Sequence, residues 1–228
     1  MRGRRFIYYK EVTCEVCSMK HIVLLGDSIF DNKSYVRGGA DVVTHLRRQI
    51  PQGWSAELRA IDGSVVRNVS AQLARVPAES THLIVSVGGN DALANADMLN
   101  ARVSSSAEVF NEMSNRSGQF EKSYREMLRS VLDLGRPVAA CSIYYPRMDD
   151  MVTQKVAVAA LATFNDVIIK QAFLAGVPLI DLRLVCSEDS DYANEIEPSE
   201  SGGEKIARSI LKVVNEHDFS KRRTEVFF

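Results

Sequence analysis

The sequence predicts a single α/β domain built on a parallel sheet, and three observations predict it. Short apolar runs alternate with longer stretches of helical periodicity from one end of the chain to the other. Two of those runs are almost wholly apolar and stop in glycine-rich polar turns, as strands covered on both faces do. No repeat, low-complexity tract or linker divides the 228 residues, a length that suits one core better than two.

Residues 1–18 form an N-terminal extension ahead of the first strand, Ile22 to Leu25, which ends on Gly26 with Asp27 and Ser28 behind it. Asp31 to Gly39 is rich in turn residues. Ala40 to Ile50 places Val42, Val43, Leu46 and Ile50 at helical spacing until Pro51-Gln52-Gly53 stops it. Trp54 to Ile61 alternates, as a half-exposed edge strand would, and Asp62-Gly63-Ser64 closes it. A short helix over Ser70 to Arg75 leads to a second buried strand, Leu83 to Val87, ending in Gly88-Gly89-Asn90-Asp91. Ser105 to Leu134 is helical, with a break allowed near Ser117-Gly118. Pro137 to Ile143 is a strand, Met151 to Ala175 a helix with Ala- and Val-rich faces, and Val177 to Asp181 a fifth strand. Glu200 to Val214 is the last helix, within a domain spanning 19–216, and 217–228 is read as a tail.

Composition limits the function classes. With 46% hydrophobic and 25% charged residues this is an ordinary globular chain, and a formal net charge of −1 gives no reason to expect nucleic acid as the partner. No uninterrupted apolar run approaches the roughly 20 residues of a membrane span, and the first residues lack the apolar segment of a secretory signal, so the expected location is cytoplasmic. Cys14 and Cys17 make a lone C-x-x-C without a second pair at zinc-ribbon spacing. With Cys141 and Cys186 they are expected to be reduced and to bind no metal. Oligomeric state leaves no mark on the sequence.

Right-handed crossovers would bring the carboxyl end of every strand to one rim, gathering Ser28, Gly63, Asn90, Tyr144 and Asp181 there. Alone, Ser28 is an ordinary turn or cap serine. In company it gains a meaning, because acyl transfer needs a nucleophilic hydroxyl and donors aimed at a developing oxyanion. Glycine lets a backbone N–H approach a substrate closely, and an asparagine amide supplies another donor.

Gly26-Asp27-Ser28, Gly63, Gly88-Gly89-Asn90-Asp91 and Pro198-Ser199 with the helix behind it stand in the order of the blocks of the SGNH or GDSL-type hydrolases, which the chain resembles from about Met19 to Val214. That resemblance implies a flavodoxin-like three-layer α/β/α sandwich with a five-stranded parallel sheet in the order 2-1-3-4-5. It implies Ser28 as nucleophile, with the Ser28 N–H, the Gly63 N–H and the Asn90 amide as oxyanion hole. It further implies a small-molecule ester as substrate, whether acetylated sugar, lipid or thioester, with no metal or other cofactor. Asp27, Asp31, Asn32 and Tyr144 are the expected substrate contacts, Asp27 while ordering the nucleophile's turn and Asp31 and Asn32 from the pocket mouth. Asp91 is expected to cap a helix.

The last block departs from the family. Where its pattern reads D-x-x-H-P-S, this chain has Asn194-Glu195-Ile196-Glu197-Pro198-Ser199, so Glu197 stands in place of the histidine base. No other histidine is expected to substitute. His21 and His82 lie seven and eight residues upstream of Ser28 and Asn90, which at about 3.3 Å per strand residue puts them at the far end of the sheet. His217 lies beyond the last helix, and His45 sits in the middle of the first. Glu197 is therefore the expected base, at a reference pKa about two units below that of histidine, a deficit that burial would reduce. The alternative is a ligand-binding protein that keeps the pocket and has lost turnover together with the Asp/His pair.

Overall fold

The computed structural model describes residues 19–228; the extension 1–18, with Cys14 and Cys17, lies outside the described residues. Six strands form one parallel sheet: β1 (His21–Gly26), β2 (Ser55–Leu58), β3 (His82–Ser86), β4 (Val138–Cys141), β5 (Leu179–Ile180) and β6 (Val226–Phe227), in the order 2-1-3-4-5-6. Helices α1 (Val42–Gln49) and α7 (Glu200–Glu216) cover one face. Helices α2 (Val69–Leu73), α4 (Ser106–Leu132) and α5 (Met151–Ala175) cover the other. Two short helices, α3 (Gly89–Leu93) and α6 (Leu182–Val185), follow β3 and β5 directly. The architecture is the expected flavodoxin-type sandwich.

The pleat of β1 shows why so short a run organises the sheet. Ile22 and Leu24 point to the α1/α7 side, where Val42, Leu46, Ile206 and Ile210 meet them. Val23 and Leu25 point to the opposite side, against Val69, Tyr124, Leu128 and Ile168. All four are fully buried, so an unbroken apolar run is what a strand between two helical layers requires.

One expectation is corrected. Residues 217–228 are not simply a tail: Val226 and Phe227 pair with Leu179 and Ile180, extending the sheet beyond five strands. Two residues behind a charged stretch are too few to carry any periodicity. Helix α4 also runs without a break through Ser117-Gly118, where the space around Gly118 is open and the helix is held by its packing on α5. Helix α5 is long and apolar enough to cross a membrane by length and composition. Its C-terminal half instead buries Phe164, Val167, Ile168 and Ala172 in the core.

Candidate active site

The nucleophile turn begins at a backbone position only glycine can hold. Gly26 has φ +127°, and a Cβ there would sit 1.7 Å from the Ser86 carbonyl oxygen. That proximity lets the chain leave β1 sharply: the Asp27 N–H donates to Ser86 O at 3.1 Å, and the N–H groups of Phe30 and Asp31 both donate to Asp27 O. Ser28 is thereby carried to the carboxyl end of the central strand.

Gln72, a residue that the sequence did not single out, fixes this turn from α2. Its Oε1 accepts the Gly26 N–H and its Nε2 donates to Gly26 O, each at 2.8 Å, and Nε2 also reaches Ser64 Oγ at 3.3 Å. Ser64 follows Gly63, and its carbonyl accepts the Asn90 Nδ2 proton at 3.0 Å. The Asp91 carboxylate accepts the Val66 N–H at 3.0 Å instead of capping a helix, since α3 already starts at Gly89. Three loops from three strands are thus stitched into one unit. Among the described residues neither the Ser28 nor the Gly63 N–H has an acceptor, and Asn90 keeps a second amide proton. Gly63 sits at φ +76° with open space where a side chain would be.

Glu197 completes the arrangement. The Ser28 hydroxyl donates to Glu197 Oε1 at 3.0 Å, and among the described residues no donor reaches the buried Oε2. Asn194, which stands at the family's aspartate position, shapes the approach: its Oδ1 accepts the N–H groups of both Ile196 and Glu197 at 2.9 Å. Burial raises the Glu197 carboxyl to about 7, opposed by the Ser28 hydrogen bond and reinforced by Asp62. Buried Asp27 accepts the Ile29 N–H at 3.2 Å, and burial pushes its carboxyl up to about 8, with nearby Glu197 adding to the effect.

The histidines all lie elsewhere in the fold. His21 and His82 open β1 and β3, and His217 caps the far end of α7, where it pairs with Glu225 at 2.6 Å. His45 is buried in α1.

Among the expected substrate contacts, Asp27 and Tyr144 line the cleft beside Ser28, together with Asn90 and Glu197. Tyr144 donates its hydroxyl proton to Ile196 O and so braces the segment carrying Glu197. Asp31 and Asn32 do not line it. Asp31 Oδ2 accepts the Asp62 N–H at 2.9 Å and holds the Gly63 turn. Asn32 is fully buried: its Oδ1 accepts the Val42 N–H and its Nδ2 donates to Pro198 O, tying the nucleophile loop to both α1 and the Glu197 segment. An asparagine four residues after a nucleophile reads equally well as a surface contact or as an internal clamp, and only the fold distinguishes the two. Cys141 and Cys186 are free and buried, and among the described residues no three His, Cys, Asp or Glu side chains are placed to hold a metal ion.

Two carboxyls raised by burial set a sign for stability against pH. Unfolded, they titrate near 4; folded, at about 8 and 7. Between those limits the folded state binds more protons, so their contribution is complete below about pH 4 and is lost as pH rises through 7 and 8. Asp27→Asn should flatten the fall in melting temperature from pH 5 to pH 9 relative to the parent protein, by an amount equivalent to a few kcal/mol, on the order of the shift itself. Parallel thermal melts across that range measure it, and identical slopes for the two proteins would contradict it.

Comparison with known proteins follows the same lines. Solved structures of similar fold include a lipase from a goat rumen metagenome (16% identity, 88% of this chain and 100% of that one, TM-score 0.68), an extracellular lipase from Streptomyces rimosus (18%, 87% and 100%, 0.62) and a variant acetyl xylan esterase from Geobacillus stearothermophilus (17%, 87% and 96%, 0.61). No curated protein sequence matches the chain. The model of the GDSL-like lipase/acylhydrolase family matches residues 24–204, from within β1 to the first turn of α7, and so covers the nucleophile turn, both donor loops and Glu197. The chain belongs to that family.

Proposed function

We propose that this protein hydrolyses carboxylic esters by a serine–carboxylate mechanism in which Glu197 takes the histidine's part. One observation carries the proposal: the 3.0 Å hydrogen bond from the Ser28 hydroxyl to a buried carboxylate whose pKa is raised to about 7. A base acts best when its pKa lies near the working pH, and burial has closed the gap to histidine that glutamate would otherwise show.

In the first half-reaction Glu197 accepts the Ser28 proton as Oγ adds to the ester carbonyl. The resulting oxyanion is met by the Ser28 and Gly63 N–H groups and the free Asn90 amide proton. Collapse of the tetrahedral adduct breaks the bond to the alcohol, which leaves with the proton held on Glu197. In the second half, water adds to the acyl-serine, gives its proton to Glu197, and the carboxylic acid departs as the proton returns to Oγ. Asn194, Asn32 and Tyr144 act as positioning residues by fixing the 194–198 segment, and Gln72 does so by fixing the nucleophile turn.

The expected signature is a kcat/KM that rises with pH through about 7 and levels off above it, because only ionised Glu197 accepts a proton. A fluorophosphonate should label Ser28, identified by peptide mass, with the same pH dependence. Labelling at another serine, or a flat pH profile from 5 to 9, would sink the mechanism.

A further inference from the structure

The three oxyanion donors are held in place by different means. The Ser28 turn is locked by the close contact of Gly26 with β3, and the Gly63 turn is tied to Asp31 and, through Ser64, to Gln72. Asn90 belongs to α3, a helix of five residues, and neither α3 nor the Ala96–Asn100 turn behind it contains a buried residue. Within α3 it is Ala92 that packs against the core, and Ala92 is partly buried. An element with so little apolar anchorage opens easily unless polar contacts hold it. At its start the Asp91 carboxylate accepts the Val66 N–H, and the Asn90 amide donates to Ser64 O. Its far end depends on a residue from another helix.

That residue is Arg116, in the middle of α4. Its Nε donates to Glu112 Oε1, one turn earlier, at 2.7 Å, which orients the guanidinium on the helix surface. Nη1 donates to both the carbonyl and the Oδ1 of Asn95 at 3.3 Å and to the Asp97 carboxylate, whose other oxygen accepts from Nη2 at 3.2 Å. Asn95 in turn donates from Nδ2 to Asp91 O at 2.8 Å, and its N–H donates to Ala92 O. The Ala94 N–H donates to Asn90 O at 2.9 Å. The bonds thus lead from α4 through Asn95 to the residue that offers the oxyanion its free amide proton. A planar fork suits this task, because it meets two oxygens of one residue and a neighbouring carboxylate together.

We propose that Arg116 is a positioning residue for ester hydrolysis: through Asn95 it holds α3 against the Gly63 loop and so sets where the Asn90 amide meets the oxyanion. The inference rests on the serine-esterase reading for what Asn90 does and on the hydrogen bonds for what Arg116 does. A donor stabilises the transition state only while its proton points at the oxygen that develops charge. A small swing of α3 therefore weakens transition-state binding and leaves ground-state binding nearly as it was.

Arg116→Ala should lower kcat about tenfold while KM stays within about threefold of the parent value. In an Asn90→Ala background the same substitution should change kcat by less than about twofold, because the donor it positions is already gone. Added guanidinium ion, kept below denaturing concentrations, should restore part of the lost rate to Arg116→Ala and none to the double variant. Backbone hydrogen exchange over residues 88–95 should quicken at least about tenfold in Arg116→Ala, with the strands of the sheet exchanging as in the parent. Equal changes of kcat in both backgrounds, or unchanged exchange over 88–95, would overturn the positioning role and leave hydrolysis by the parent protein standing. Faster exchange over 88–95, in a protein whose parent hydrolyses no ester, supports the hold of Arg116 on α3 and overturns the esterase reading.

Discussion

Ser28→Ala and Glu197→Gln are each expected to lower kcat for ester hydrolysis by about a thousandfold or more, and the double variant to fall no further than the worse single one. The two groups form one unit: the hydroxyl is a poor nucleophile without an acceptor for its proton, and the carboxylate has nothing to activate without the hydroxyl. Their 3.0 Å contact makes each loss contain the other. Glutamine keeps the size of Glu197 and can still accept the serine hydrogen bond, but its amide oxygen takes no proton at neutral pH. Residual rate should come from the oxyanion donors and the cleft, and it should lose the pH dependence centred near 7. Steady-state kinetics on a soluble chromogenic ester decide the matter. A Glu197→Gln protein within tenfold of the parent would remove Glu197 from the role of base, and independent, multiplicative losses would argue against a shared step. A parent protein without measurable turnover would favour the ligand-binding alternative, in which case Asn194→Asp with Glu197→His should create activity.

Gly26→Ala is expected to destabilise the fold by more than about 4 kcal/mol, among the largest effects a single methyl group can produce. The added Cβ would lie 1.7 Å from Ser86 O, an oxygen that also accepts the Asp27 N–H, so neither partner can retreat without parting β1 from β3. The residue's φ of +127° is closed to alanine in any case. The loss should lower the melting temperature by more than about 10 °C for a chain of this size, or prevent accumulation of soluble protein. A stable, soluble Gly26→Ala variant with a melting temperature within a few degrees of the parent would show that the two strands yield more readily than their geometry indicates. A glycine at this position is therefore set by the packing of two strands, and the nucleophile inherits its place from that packing.

The sheet was legible because its central strands are buried on both sides, and such strands are written as uninterrupted apolar runs. Ser28, Gly63 and Asn90 were legible because topology forces strand ends to one rim, and Glu197 because it stands in a frame of matched neighbours. What escaped notice shares a different cause. Gln72 was not singled out and Asn32 was assigned to the pocket mouth, because both act through hydrogen bonds to backbone groups distant in sequence, and a single polar side chain carries no periodicity to announce such a partner. The pairing of Val226 and Phe227 beside β5 escaped because two residues cannot alternate. Helix α5 was recognised as a helix, but apolar residues around its whole circumference concealed which of them pack the core and which face the cleft.

The buried pair of carboxyls has a last consequence. Ionising Glu197 is what makes Ser28 reactive, and it is the same ionisation that burial resists, with Asp62 adding to the resistance; once ionised, Glu197 in turn holds back the loss of the Asp27 proton. The protonation state that can turn over is thus the less firmly folded one. Relieving the tension by placing a partner cation beside Glu197 would stabilise the protein and at the same time lower the basicity on which its chemistry depends. Fold stability and catalytic competence draw on one proton in opposite directions.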